Sequence, residues 1–314
     1  MWNYAYQVPE KRKVRYIIHS DCKNEADDQY TVVHALMMDR FDVRGIIAGH
    51  FDGGGGERFP GHRTADASKE EIERLLALLG LTGKYLVLLG ASQALADERT
   101  PIVSAGAQFI IEEAMRDDPR PLFIGMQGAI TDLACAILLR PEICSRMTCI
   151  WIGGGDYPQG GPEFNLSQDI HAANIVFRSA MPLWQVPRGT YKQFAVSLAE
   201  LQLKVRPCGE IGRYLFEQLE QFNREVPGSD AWPQGESWTL GDEGCICALL
   251  EEIQRTAGYR LLPAPRVDRK TMAYLPAQEE GIRPIRVYQQ MDVRLDLEDL
   301  FAKLRLNFPA RQPG

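Results

Sequence analysis

The sequence lacks a long hydrophobic run and a cluster of basic residues, and each absence excludes a class of protein. The longest apolar runs, Leu75–Leu79 and Leu86–Leu89, are far shorter than the roughly 20 residues that a helix needs to span a bilayer. The N-terminal residues also lack the apolar stretch of a secretory signal. Acidic residues number 42 against 35 basic ones, for a net charge of -7, and Lys11–Lys13 is the one basic run. We therefore expect neither a nucleic-acid partner nor a membrane partner.

Paired cysteines are also missing. The seven cysteines are scattered, and no two of them form a Cys-x-x-Cys motif. Zinc ribbons and thioredoxin-like redox sites are therefore not indicated. We expect most of these cysteines to be small buried hydrophobic residues in a reducing compartment, which indicates the cytoplasm.

What the sequence does have is a regular alternation of apolar runs and amphipathic segments. Hydrophobic residues make up 45% of its 314 residues and charged residues 25%, as in folded globular proteins. Short apolar runs predict strands at Val14–Ile18, Val43–Ala48, Tyr85–Leu89, Leu122–Met126, Thr148–Ile152 and Leu183–Val186. Helical patterns predict helices at Glu25–Arg40, from the capping box at Ser68 to Gly80, and from Thr100 to Arg116. Further helical patterns cover Tyr214–Asn223, Gly244–Ile253 and Asp296–Leu304.

This alternation predicts an α/β fold with a mostly parallel central sheet and helices on both faces. The Pro-rich segment near Leu262 indicates an extended connection and not a linker, so we expect residues 1–314 to form one domain. Ligands of such sheets bind beyond the carboxyl ends of the strands, where polar side chains are therefore of most interest.

The end of the first predicted strand carries four carboxylates within eight residues: Asp21, Glu25, Asp27 and Asp28. Asp27 and Asp28 could simply complement the dipole of the following helix. That explanation leaves the acid at the strand tip unaccounted for. Hard oxygen ligands gathered in this way are what a divalent cation such as Ca²⁺ requires.

Three other strand ends also carry polar groups: the turn Gly125–Asp132, the segment from Gly153 to Asn165, and Gly241–Asp242. Taken alone, each is typical of an ordinary loop or helix cap. The glycines of the second segment do not have the spacing of a dinucleotide-binding motif.

Together these motifs resemble those of the inosine-uridine-preferring nucleoside hydrolase family. They occur in the same order along the chain as in that family and span about residues 14 to 250. Asp21 followed by Asp27-Asp28 resembles the family's Asp-rich motif, with a longer loop. Gly128–Leu133 resembles its Gly-Pro-Leu-Thr-Asn-Leu turn. The segment from Trp151 to Ala173, with Glu163-Phe-Asn165 within it, resembles the run that contacts ribose, and Gly241-Asp242 takes the place of a His-Asp pair.

The resemblance implies a Rossmann-like nucleoside hydrolase fold and a Ca²⁺-dependent hydrolase of the N-glycosidic bond in ribonucleosides. Asp21, Asp28 and Asp242 would bind Ca²⁺ through their side chains and Thr131 through its carbonyl. Asp21 would also be the general base for a Ca²⁺-bound water that attacks the anomeric carbon. The residues expected to contact the substrate are Asn24, Asp27, His50, Glu163 and Asn165. The resemblance further implies a role in nucleoside salvage and a homodimer or homotetramer.

One departure from the family concerns the leaving group. Gly241 stands where relatives carry the His that protonates the departing base. His50, Trp238 or Glu243 could replace that acid. Alternatively, the enzyme acts on a different ribosyl or glycosyl compound, or the protein binds a sugar or nucleoside without catalysis. The presence of Asp21 disfavours the last alternative, because binding alone needs no general base. A Mg²⁺ phosphohydrolase is also disfavoured, since no cluster of Lys or Arg accompanies the acids.

Overall fold

An eight-stranded sheet forms the centre of the protein in a computed structural model that describes residues 2–52, 59, 64–225, 235–251, 258–275 and 283–309. The strands are β1 (Val14–Ser20), β2 (Phe41–Ala48), β3 (Val87–Leu89), β4 (Leu122–Met126), β5 (Thr148–Ile152), β6 (Leu183–Val186), β7 (Ala195–Ser197), β8 (Ser237–Thr239), β9 (Tyr259–Pro263), β10 (Arg266–Val267), β11 (Tyr274–Leu275) and β12 (Pro284–Tyr288). The central sheet has the order β3-β2-β1-β4-β5-β6-β12-β9. All neighbouring strands in it are parallel except β12 and β9.

The helices are α1 (Asp28–Met37), α2 (Thr64–Leu78), α3 (Ala105–Met115), α4 (Thr131–Leu139), α5 (Phe164–Gln168), α6 (Ile170–Arg178), α7 (Arg188–Tyr191), α8 (Leu198–Lys204), α9 (Gly209–Glu225), α10 (Gly244–Leu250) and α11 (Val293–Asn307). They cover both faces of the sheet. Successive side chains of a strand point to opposite faces, so each buried strand contacts helices on both sides. Tyr16 and Ile18 of β1 pack with α1, α2, α10 and α11, whereas Ile17 packs with α3, α4 and α6. The predicted mostly parallel sheet with helices on both faces is confirmed. No described helix is both long and apolar enough to cross a membrane.

Two predicted helix starts are wrong. Ser68 does not cap a helix, because α2 already begins at Thr64, and the Ser68 hydroxyl instead donates to the carbonyls of Gly49 and Thr64. The cap of α3 is Ser104, whose side chain accepts a hydrogen bond from the Ala107 N–H, and not Thr100. Helix α1 is shorter than predicted, since the loop that precedes it extends to Asp27. The end of the helix predicted to reach Ile253 lies outside the described residues.

The connectivity determines where a ligand can bind. The chain builds β2 and β3 on one side of β1 and then β4, β5 and β6 on the other, so the direction of winding reverses between β1 and β4. Loops at such a reversal diverge to opposite faces and leave a crevice at the carboxyl ends of the strands. The residues after β1, beginning at Asp21, and those after β4, beginning at Gln127, lie at this point.

Candidate active site

Carboxylates from distant parts of the chain converge at the crevice. Asp27 and Asp28 lie at the start of α1, and Asp242 lies in a short 3-10 helix, Gly241–Glu243, before α10. Each of the three offers a carboxylate oxygen within 4.8 Å of the others. The side chain of Asp27 does not cap α1, and its Oδ2 instead accepts a hydrogen bond from the Asp242 N–H at 3.2 Å. Capping and dipole effects therefore do not account for the cluster.

Asp21 joins this cluster from the end of β1. Its side chain is 1% exposed, and its Oδ2 has no hydrogen-bond partner in the structure. Gly128, in the loop after β4, permits the approach, because a Cβ at that position would lie 2.4 Å from the Asp21 Cγ. The Ser20 hydroxyl donates to Asp28 Oδ1 at 2.6 Å and orients that carboxylate.

The acids destabilise one another in their charged forms. Burial, and then the charge of Asp28, raises the pKa of Asp21 well above its usual value. Burial, and then the charge of Asp27, raises the pKa of Asp28 to about 7 and that of Asp242 well above its usual value. A divalent cation would supply the opposite charge that this cluster needs. The donors are all carboxylate oxygens, the set that Ca²⁺ prefers, so the residues present fit that ion.

The cluster lies in a cavity of about 920 Å³. Seven of the residues expected to bind the metal or the substrate line it: Asp21, Asn24, Asp27, Asp28, Glu163, Asn165 and Asp242. Asn165 uses both amide hydrogens to hold the strand ends, donating to the carbonyls of Gln127 at 2.8 Å and Ile152 at 2.9 Å. Its side-chain oxygen is left to accept a hydrogen bond from a ligand hydroxyl.

Glu163 has a structural role that its position in the motif does not reveal. One of its oxygens accepts hydrogen bonds from the Asn165 N–H and the Tyr191 hydroxyl, and the other from the N–H groups of Gly154 and Leu166. A carboxylate has about four acceptor positions, and the protein fills all of them. Glu163 thus caps α5 and joins it to the loop after β5.

His50 and Thr131 are buried and are not among the described residues that line the cavity. The His50 Nε2 is 2.9 Å from the Thr131 hydroxyl, which donates to Asp169 Oδ2 at 2.9 Å. Burial lowers the pKa of His50. The roles expected for the His50 ring and the Thr131 carbonyl stay predictions.

The two other candidates for the leaving-group acid differ in position. Trp238 lines the cavity, whereas Glu243 is fully buried away from it and pairs with His34, with Oε2 2.7 Å from Nδ1. Beside Gly241 lies Tyr191, because a Cβ at Gly241 would be 3.0 Å from the Tyr191 Cδ2. The Tyr191 ring thus occupies the space next to Gly241.

The cavity also contains residues that the sequence did not identify. Gln127 is 1% exposed and lines the cavity, and neither polar atom of its carboxamide has a hydrogen-bond partner in the structure. Arg188, Tyr191 and Lys192 line the wall near Glu163. For Gln127, its position directly after a predicted strand was a usable signal. The other three follow β6, whose end carries no acid-rich or glycine-rich motif.

Comparison with known proteins places the chain among sequences of one family. The family model for inosine-uridine preferring nucleoside hydrolases matches residues 17–299. The chain is 27% identical to the pyrimidine-specific ribonucleoside hydrolase of Citrobacter koseri over 187 residues, which are 52% of this chain and 57% of that protein. It is 31% identical to the inosine-uridine preferring nucleoside hydrolase of Leishmania major over 123 residues, 38% of this chain and 39% of that protein. The matched part is therefore less than two thirds of either relative.

Solved structures show the same fold. The purine-preferring ribonucleoside hydrolase of Gardnerella vaginalis superposes with a TM-score of 0.71 and 17% identity, covering 94% of this chain and 100% of that one. A plant nucleoside hydrolase superposes with a TM-score of 0.69 and 16% identity, covering 93% and 98%. At these identities the likeness establishes the architecture.

Proposed function

Because the chain belongs to the inosine-uridine preferring nucleoside hydrolase family, we propose that it is a Ca²⁺-dependent hydrolase of the N-glycosidic bond in ribonucleosides. The observation that carries this proposal is the convergence of Asp27, Asp28 and Asp242 in one cavity with Asp21. Such a cluster of buried carboxylates costs folding free energy unless a cation binds there. Buried acids with strongly raised pKa values in a cavity are typical of functional sites.

In the proposed mechanism Asp21, Asp28 and Asp242 would hold the cation through their side chains, and Thr131 would do so through its carbonyl. Bound Ca²⁺ would supply Lewis acidity toward water and sugar hydroxyls. Asp21 accepts the proton of the attacking water, for which its unpartnered Oδ2 is available. The surrounding carboxylates stabilise the positive charge that develops on the sugar as the glycosidic bond breaks.

Substrate binding in this proposal depends on polar side chains that line the cavity. Asp27 and the Asn165 side-chain oxygen would accept hydrogen bonds from the ribose hydroxyls, and Asn24 is a further polar residue of the cavity wall. The saturated carboxylate of Glu163 supports α5 and thereby positions Asn165. Gly241 supplies no acid for the leaving group, and the side chain beside it is that of Tyr191. A ribosyl compound whose leaving group needs no proton from this position is therefore the second candidate substrate.

The test uses Asp21→Asn, with Asp117→Asn on the surface as the matched control. We expect Asp21→Asn to lose at least about 10²-fold in ribose release from a Ca²⁺-supplied nucleoside panel, while calorimetry still detects nucleoside binding. Retained turnover would remove Asp21 from the role of general base. Loss of binding together with turnover would make it chiefly a metal ligand. If the wild type releases ribose from no nucleoside, the proposed activity is wrong.

Three further properties are part of the proposal. Residues 1–314 form one domain, because the late strand β12 pairs with β6 in the central sheet. The enzyme acts in the cytoplasm as a homodimer or homotetramer. All seven cysteines are buried free thiols, which suits a reducing compartment.

A further inference from the structure

Two cationic side chains, Arg188 and Lys192, line the cavity that contains the acid cluster. We propose that they bind a phosphate group at the 5′ end of the ribosyl substrate, so that the enzyme prefers a nucleoside 5′-phosphate to the free nucleoside. The inference rests on the proposed N-glycosidic hydrolysis and specifies its substrate class.

Both cations are presented by one short turn. The Lys192 N–H donates to the Arg188 carbonyl at 3.1 Å, so the two residues are one helical turn apart and project on the same side. Side-chain hydrogen bonds of Arg188 and Tyr191 help to hold this turn against the wall. The Arg188 guanidinium donates to the Pro162 carbonyl at 2.7 Å, and the Tyr191 hydroxyl donates to Glu163 at 3.0 Å.

The two side chains have no ion-pair partner in the part of the chain that the structure describes. Among the described residues, no carboxylate oxygen lies within 4.0 Å of Arg188 or Lys192, although Arg120 and Lys204 each contact two acids. Arg188 uses one guanidinium nitrogen for Pro162 and keeps other N–H donors available. A planar guanidinium beside a flexible ammonium is a combination suited to phosphate oxygens.

The hydrogen-bond donors of this turn favour an anionic ligand. Glu163 accepts from the Tyr191 hydroxyl and has all its acceptor positions filled by protein donors. Asp156 accepts a hydrogen bond from the Gly189 N–H at 2.8 Å. The remaining N–H donors of Arg188 and the Lys192 ammonium match an acceptor-rich anion. Phosphate offers three such oxygens and a charge of about -1.5 to -2 at neutral pH.

The orientation of the sugar assigns the phosphate to the 5′ end. In the proposed function the carboxylate cluster, with the cation that it would hold, would contact the neighbouring 2′- and 3′-hydroxyls of the ribose. The exocyclic 5′ carbon lies across the ribose ring from that diol, and it is the remaining position on the sugar that can carry a phosphate. The departing base is neutral and gives no reason for two unpaired cations.

The experiment compares uridine and inosine with their 5′-monophosphates in Ca²⁺-containing buffer. The test variant is Arg188→Gln/Lys192→Gln, and the control is Arg146→Gln/Lys84→Gln, which removes two exposed surface charges. Thermal melting establishes that each variant is folded. We expect wild-type kcat/KM to be at least about tenfold higher for a monophosphate than for its nucleoside. That ratio should fall at least about tenfold in the test variant and stay unchanged in the control.

A second measurement does not depend on turnover: calorimetric binding of ribose 5-phosphate against ribose, in wild type and both variants. Hydrolysis without a preference for monophosphates, or a preference that survives in the test variant, overturns the inference and leaves the proposed function intact. Tighter binding of ribose 5-phosphate that disappears in the test variant, with no hydrolysis of any substrate, supports the phosphate site and overturns the proposed function. Absence of both hydrolysis and ribose 5-phosphate binding overturns both.

Discussion

Replacing Asp28 by Asn should stabilise the metal-free protein at neutral pH, although it removes a proposed metal ligand. Burial, together with the charge of Asp27, raises the pKa of Asp28 from 3.8 to about 7. A difference of one in pKa corresponds to about 1.4 kcal/mol, so the charged carboxylate costs up to about 4 kcal/mol of folding free energy above pH 7. Asn has the same shape without the charge and can still accept the hydrogen bond from Ser20.

The sign of the pH dependence follows from the raised pKa. Below pH 3.8 the carboxyl group is protonated in both the folded and the unfolded chain, so it contributes no difference. Between pH 3.8 and about pH 7 the folded protein binds more protons at Asp28 than the unfolded chain does. Its free energy of unfolding therefore falls as pH rises through this range. The free energy of unfolding of Asp28→Asn should thus equal that of the wild type near pH 4. At pH 8 it should be higher than that of the wild type by up to about 4 kcal/mol.

Urea unfolding followed by circular dichroism measures the stability of each protein without metal, in EDTA, and with Ca²⁺. With Ca²⁺ at about 100 times its Kd, the free energy of unfolding of the wild type should rise by about 2.7 kcal/mol, and that of Asp28→Asn should rise much less. Asp117→Asn controls for the loss of a surface charge. The reasoning is refuted if the wild type in EDTA is as stable at pH 8 as at pH 5, or if Asp28→Asn is less stable than the wild type at pH 8.

Two further outcomes follow from the hydrogen bonds of the site. Glu163→Ala should lower the free energy of unfolding by about 1 to 2 kcal/mol, because it leaves the N–H donors at the start of α5 without an acceptor; unchanged urea unfolding would contradict the capping role. With Gly241 in place of an acid, p-nitrophenyl riboside should be cleaved faster than inosine, because a leaving group of low pKa needs little protonation. Equal rates for the two substrates, with His50→Ala slowing only inosine, would instead identify His50 as the acid.

Much of the fold could be predicted from the sequence, because the signals that specify it are local. A run such as Leu122–Met126 is apolar on both faces, which indicates a strand covered by helices on both sides. The acids after β1 could be identified for the same reason, since four carboxylates within one loop need a physical explanation. The helix starts were less predictable: Ser68 and Thr100 have capping chemistry, but α2 begins at Thr64 and the side chain of Ser104 caps α3.

The sequence by itself therefore determined the alternation of strands and helices and the acid-rich loop that begins at Asp21. Only the tertiary structure decided which side chains share the cavity. Arg188 and Lys192 are distant in sequence from the acids, and no local pattern marks them. Likewise, the sequence contains no sign that four donors saturate Glu163. The physical reason is that a parallel sheet brings the ends of separate strands to one edge, so the charges and hydrogen-bond partners within the crevice depend on the order of the strands.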